Sequence, residues 1–174
     1  IRNFNMSGSK TSAMQTDLEN ATEFFGSLPP IGTQAPLMDM PMIMSEDSFK
    51  INQLRGKIAV LDFWATWCAP CLYSLPKMDS LSGLFDSTQV QFLAITHDEK
   101  GNPESFIKRL NLKQTFLEGN AGLSRSFGLP DIGIPTVFLV DKTGKIVDFE
   151  SGFQGEETIA RLYGKIKGLL AVDE

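Results

Sequence analysis

The run Ile58-Ala59-Val60-Leu61-Asp62-Phe63-Trp64, followed closely by Cys68-Ala69-Pro70-Cys71, constrains this chain more than any other feature. A nearly continuous stretch of β-formers marks a strand covered on both faces, in the middle of a sheet flanked by helices. Beyond the cysteines, Leu72, Leu75, Met78, Leu81 and Phe85 recur on one helical face, so both cysteines fall at the N-terminus of a helix that leaves a buried strand. A thiol attacks a disulfide only as thiolate, and a free cysteine with a pKa of about 8.5 is mostly protonated at neutral pH. The unpaired N–H groups and partial positive charge of a helix N-terminus favour the thiolate. Cys68, at that end and with no acid between it and Cys71, is the candidate nucleophile. Cys71, one turn further in, is the candidate resolving thiol, with a large proximity advantage over any thiol in solution.

The chain has 174 residues and only these two cysteines. A disulfide closing so short a loop restrains little of the unfolded chain, so the pair is chemical or metal-binding rather than a staple. A zinc site wants four ligands, and two cysteines with the single His97 do not supply them, so no metal is expected. His97, among Asp98, Glu99 and Lys100, reads as a solvated loop histidine. With 42% hydrophobic and 21% charged residues one core can form and wholesale disorder is not expected. The net charge of −5, with no Lys/Arg cluster, argues against nucleic acid as a partner. No run reaches the roughly 18 apolar residues that span a bilayer, and residues 1–10 lack the layout of a secretory signal.

Residues 1–30 read as an N-terminal tail, helix or linker, with Ala13, Met14, Leu18, Ala21 and Phe25 at helical spacing and Leu28-Pro29-Pro30 closing the segment. The compact domain is expected over 31–174. Met38, Met40, Met42 and Met44 alternate, which puts all four on one face of an extended segment, and Pro41 marks that segment as an edge strand or hairpin. Val90–Ile95 repeats the buried-strand pattern. Asn102-Pro103-Glu104 supplies a cap, a first-turn proline and an early acid for a helix carrying Phe106, Ile107 and Leu110. After a short segment at Thr115–Glu118 and a helical turn at Leu123–Phe127, a strand at Thr136–Val140 turns through Asp141-Lys142-Thr143-Gly144 into another at Ile146–Phe149. Ile159, Leu162, Tyr163, Ile166, Leu169 and Leu170 form the apolar stripe of a closing helix.

Asp62 through Cys71 resembles the thioredoxin signature, and Gly133-Ile134-Pro135-Thr136 resembles its second motif, over about residues 31–170. The spacing of the two motifs, with an added helix between them, and the opening Gly32-Thr33-Gln34-Ala35-Pro36 are similar to the extracytoplasmic TlpA/ResA-like, AhpC/TSA-redoxin branch. Members of that branch reduce disulfides, often during cytochrome c maturation. The resemblance implies an α/β thioredoxin fold: a mixed central sheet flanked by helices, with an N-terminal hairpin extension and an inserted helix. It implies a protein-disulfide reductase, periplasmic or membrane-tethered, with no cofactor beyond the redox-active Cys68–Cys71 pair. Its partners would be a protein disulfide substrate and a membrane or thioredoxin-type electron donor.

Carried over by position, Pro135 would be a cis proline facing the disulfide, and the Ile134 backbone would pair with an extended substrate. Trp64 and Trp67 would support the helix and line the approach, with Ala69 and Pro70 beside them, and Pro76 matches the proline that bends the helix. Asp62 matches the buried carboxylate that takes the proton of the resolving cysteine, and burial should raise its pKa. Ser74 stands where ResA-type proteins carry a glutamate, which leaves more of the proton handling to Asp62. Three other readings stay open: a net disulfide oxidase, a non-catalytic thioredoxin-like binding module, and a copper-delivery module using the methionine face. The Pro-Thr-Cys context of a peroxiredoxin is absent.

Overall fold

The computed structural model describes residues 31–96 and 101–172. The tail or helix expected over residues 1–30 and His97 lie outside them. Strand β3 (Ile58–Trp64) is buried at every position, as its unbroken apolar run requires. It pairs in parallel with β4 (Val90–Thr96) and antiparallel with β6 (Thr136–Val140). β5 (Thr115–Glu118) adds in parallel to β4, and β7 (Ile146–Ser151) antiparallel to β6, giving the order β5-β4-β3-β6-β7. This is the mixed sheet expected of the thioredoxin fold. Thr115–Glu118, which the sequence marks only as a short segment, is a parallel edge strand. Its four residues are too few for periodicity to identify it; pairing with β4 defines it.

Alternation along β3 splits the core. Ala59, Leu61 and Phe63 face a cluster with Phe127, Leu129, Phe138, Met40 and Phe49. That side is covered by the short helices α3 (Ala121–Ser126) and α4 (Leu129–Ile132) and by the N-terminal hairpin. Ile58 and Val60 face the opposite side, under α1 (Ala69–Ser82) and α5 (Glu156–Ala171), where Met78, Leu81, Leu162 and Ile166 are buried. Trp64 belongs to a third cluster with Cys71 and Leu75 of α1 and Phe106 and Ile107 of α2 (Pro103–Leu110). The Asn102 side chain caps α2 by accepting from the Ser105 N–H at 3.0 Å, as the Asn-Pro-Glu sequence predicts. α2 carries Phe106, Ile107 and Leu110 as expected, the first two buried and Leu110 exposed at the last turn of the helix.

The N-terminal hairpin consists of β1 (Met40–Pro41) and β2 (Ser48–Phe49), paired antiparallel. It covers one sheet edge: Met42 bridges Leu117 of β5, and the Ile43 N–H donates to the Phe116 carbonyl at 3.0 Å. Gly32 and Thr33 bond to Ile146 at the start of the other edge strand. The four methionines do not share a face. Met40 is 2% exposed and sits in the core, whereas Met38 and Met44 are 44% and 45% exposed. β1 lasts two residues, so strict alternation ends before it can align four side chains.

Candidate active site

The α1 helix begins where β3 ends. Cys68 is its N-cap, Ala69 and Pro70 fill the first helical positions on the surface, and no acid lies in the first turn. Proline suits this place because the N–H it lacks would have no helical partner there. The Cys68 and Cys71 sulfurs form a disulfide with a Cα–Cα distance of 5.2 Å. The Cys71 N–H donates to the Cys68 sulfur at 3.3 Å, the kind of interaction that stabilises a thiolate once the bond opens. Cys68 is 5% exposed and Cys71 is fully buried, so only the first sulfur has an edge open to a partner.

Pro135 is buried and follows a cis peptide bond from Ile134, as the second motif implies. The Cys68 sulfur lies 3.7 Å from the Ile134 carbonyl oxygen, which brings the two motifs, far apart in the chain, into one site. The Thr136 hydroxyl donates to the Gly133 carbonyl at 2.9 Å, and the Ser151 hydroxyl donates to the Ile132 carbonyl at 3.2 Å. Gly152, just beyond β7, donates its N–H to the Pro135 carbonyl at 2.8 Å. The Ile134–Pro135 segment is thereby held by strand β6 on one side and the end of β7 on the other.

Asp62 lies mid-strand in β3, opposite Ala94 of β4 and Val137 of β6. Its place in the alternation turns it to the face shared by Val60 and Trp64, beneath the helix that carries Cys71. It is 2% exposed, and neither carboxylate oxygen has a hydrogen-bond partner. Val60, Trp64, Ala94 and Val137 bring no charge, so burial alone pushes the Asp62 carboxyl up to about 7. Such a group holds or releases a proton near neutral pH. Ser74 is buried on α1, and its hydroxyl donates to the Cys71 carbonyl at 3.0 Å, a contact within the helix.

Of the two tryptophans, Trp64 does not line the approach: it is fully buried between Phe106 and Phe116, at centroid distances of 5.9 and 5.8 Å, and supports the core beneath α1. Trp67 is 68% exposed beside Cys68. Sequence reasoning passed over Tyr73 and Phe153, whose rings meet at 5.8 Å next to the site. One signal was available for Phe153: it stands between Gly152 and Gly155, a spacing that marks a tight turn. A cleft of about 260 Å³ bordered by Gln34, Arg55 and Lys142 lies at the opposite end of β3, away from the cysteines.

The AhpC/TSA family profile matches residues 31–149. The thiol-disulfide oxidoreductase ResA of Geobacillus thermodenitrificans is 33% identical over 122 residues, 68% of each chain. ResA of Bacillus thuringiensis is 29% identical over 138 residues, 78% of each. Among solved structures, a Chlorobium tepidum protein described as a thiol:disulfide interchange protein DsbE superposes with a TM-score of 0.73 at 28% identity, covering 83% of this chain and 99% of that one. With its cysteine pair closed across the N-terminus of α1 and facing Ile134 of the second motif, the chain belongs to the AhpC/TSA family, as a thioredoxin-fold thiol–disulfide oxidoreductase of the ResA-like branch.

Proposed function

We propose that the protein works in the reducing direction on protein disulfides, outside the cytoplasm, with Cys68 as nucleophile, Cys71 as resolving thiol and Asp62 as proton acceptor. In its reduced form the Cys68 thiolate attacks one sulfur of a substrate disulfide. That S–S bond breaks, a mixed disulfide forms, and the first substrate sulfur leaves as a thiolate that takes a proton. Asp62 accepts the Cys71 proton, and the Cys71 thiolate attacks Cys68. The second substrate thiol departs, and the Cys68–Cys71 disulfide is left. Two electrons have passed to the substrate, and a dithiol donor, membrane-bound or of thioredoxin type, must return them.

The observation that carries this reading is the uncharged, apolar setting of the pair. Strong oxidants of this fold hold a very stable thiolate, which favours their reduced form. Here Ala69-Pro70 adds no cation, and Asp62, once ionised, opposes a negative charge on the neighbouring sulfurs. A reductase is needed where disulfides form readily, which is outside the cytoplasm and fits the ResA-like branch. Preparation of haem-binding cysteines in cytochrome c maturation is the corresponding task. Substrate binding is assigned to main-chain pairing along Ile134, beside Pro135, with Trp67, Ala69 and Pro70 as the exposed rim.

Single cysteine variants test these roles. Cys71→Ser should accumulate a mixed disulfide with a protein substrate, visible by non-reducing electrophoresis, whereas Cys68→Ser should abolish insulin reduction and trap nothing. Equal trapping by both variants would overturn the division of labour.

A further inference from the structure

Beyond β7 the chain turns through Gly152 and Gly155, whose φ values of +79° and +68° lie where L side chains are strained. The turn is fastened to the site, because the Gly152 N–H donates to the Pro135 carbonyl at 2.8 Å. Between the two glycines, Phe153 meets Tyr73 of α1 edge-on, with centroids 5.8 Å apart and ring planes at 71°. Tyr73 also carries the Lys77 ammonium 5.5 Å from its ring centroid, and Lys77 is itself paired with Glu156 at the start of α5. Tyr73 nevertheless remains 61% exposed. An aromatic ring held in place by two neighbours, Phe153 and Lys77, and still open to solvent is arranged for contact with something else.

We propose that Tyr73 and Phe153 form a side wall that selects substrates, favouring disulfides whose cysteine has an aromatic or large aliphatic residue within two positions along the chain. This rests on the reading that the substrate strand lies along Ile134. The Cys68 sulfur lies against the Ile134 carbonyl and Gly152 bonds to the next carbonyl, that of Pro135, so a strand laid along Ile134 and advancing about 3.3 Å per residue runs toward the turn that carries Phe153. Main-chain pairing at Ile134 is blind to side chains. The rings beside it supply discrimination that those bonds lack.

The test uses disulfide-bridged peptides identical except for Phe or Ser at each of the two positions before and after the cysteine, with kcat/KM measured for each. The wild-type protein should prefer Phe about tenfold at one position, equivalent to about 1.4 kcal/mol. The double variant Tyr73→Ser/Phe153→Ser should bring that ratio to within about twofold of one, while Tyr73→Phe should retain it. Equal wild-type rates for Phe and Ser overturn the wall alone, as does a ratio that survives the double variant or disappears only with Trp67→Ala. A double variant that slows both peptides equally also overturns it, by showing a merely structural role. If no peptide is reduced, the wall and the reductase reading fall together.

Discussion

The two faces of the central sheet solve different problems. On one, Phe63, Phe127, Phe138 and Phe149 pack ring against ring, with centroids 4.8–5.9 Å apart, and the buried polar residue opposite Phe63, Thr136, is an uncharged hydroxyl that bonds to the Gly133 carbonyl. On the other, β3 places Asp62 between Val60 and Trp64 without a hydrogen-bond partner, and α1 above it carries Cys71 and Ser74. A buried carboxylate in apolar surroundings costs stability, and the first face supplies the packing that tolerates it. Chemistry and stability are therefore divided across a single strand by the period-2 alternation of its side chains.

The largest effect is expected on the aromatic face. Phe138→Ala should lower unfolding free energy by about 3–5 kcal/mol in a denaturant titration, because a fully buried ring leaves a cavity among rigid neighbours. The reduction potential of the cysteine pair should shift little in whatever fraction stays folded. A loss below about 1 kcal/mol would mean that this face is not the stabilising one.

Asp62→Asn should have a smaller effect of opposite sign. The folded carboxyl titrates at about 7, whereas an unfolded Asp titrates at about 3.9. Between those values the unfolded chain releases its proton and the folded one keeps it, so wild-type stability falls as pH rises from about 4 to about 7. It is level above that window. The accumulated penalty is on the order of 4 kcal/mol. The buried amide of the variant gives back roughly 1–3 kcal/mol as unpaired polar groups. At pH 8 the variant should be about 2 kcal/mol more stable than wild type, and at pH 4 less stable, with slower turnover because the proton acceptor is gone. Identical pH dependence in the two proteins would remove Asp62 from both roles.

The smallest effect is expected at Ser74. Loss of its hydroxyl bond to the Cys71 carbonyl should cost about 1 kcal/mol and leave the pH profile of turnover in place. A shifted profile for Ser74→Ala would show that this position shares the proton handling after all.

What could be read from the sequence follows the same division. β3, α1 and the cysteine pair were legible because a buried strand and an amphipathic helix meet at the motif, and each leaves a periodic trace. The cis proline and Asp62 were legible only through their place relative to the cysteines in a family pattern. β5 is marked in the sequence only as a short segment at Thr115–Glu118, because a four-residue edge strand owes its identity to its neighbour. The single methionine face was expected from an alternation that assumed a longer strand than the hairpin contains. Tyr73 and Phe153 come together only when the turn after β7 folds back onto α1, and no local pattern connects them.

The reduction potential of the Cys68–Cys71 pair, titrated against a glutathione or dithiothreitol buffer, tests the central claim most directly. With no cation between the cysteines and an ionisable Asp62 below them, the expected value lies close to the roughly −270 mV typical of thioredoxin, as befits a reductase. A value near the roughly −120 mV of the strong oxidant DsbA would contradict the account and make the protein a net oxidase.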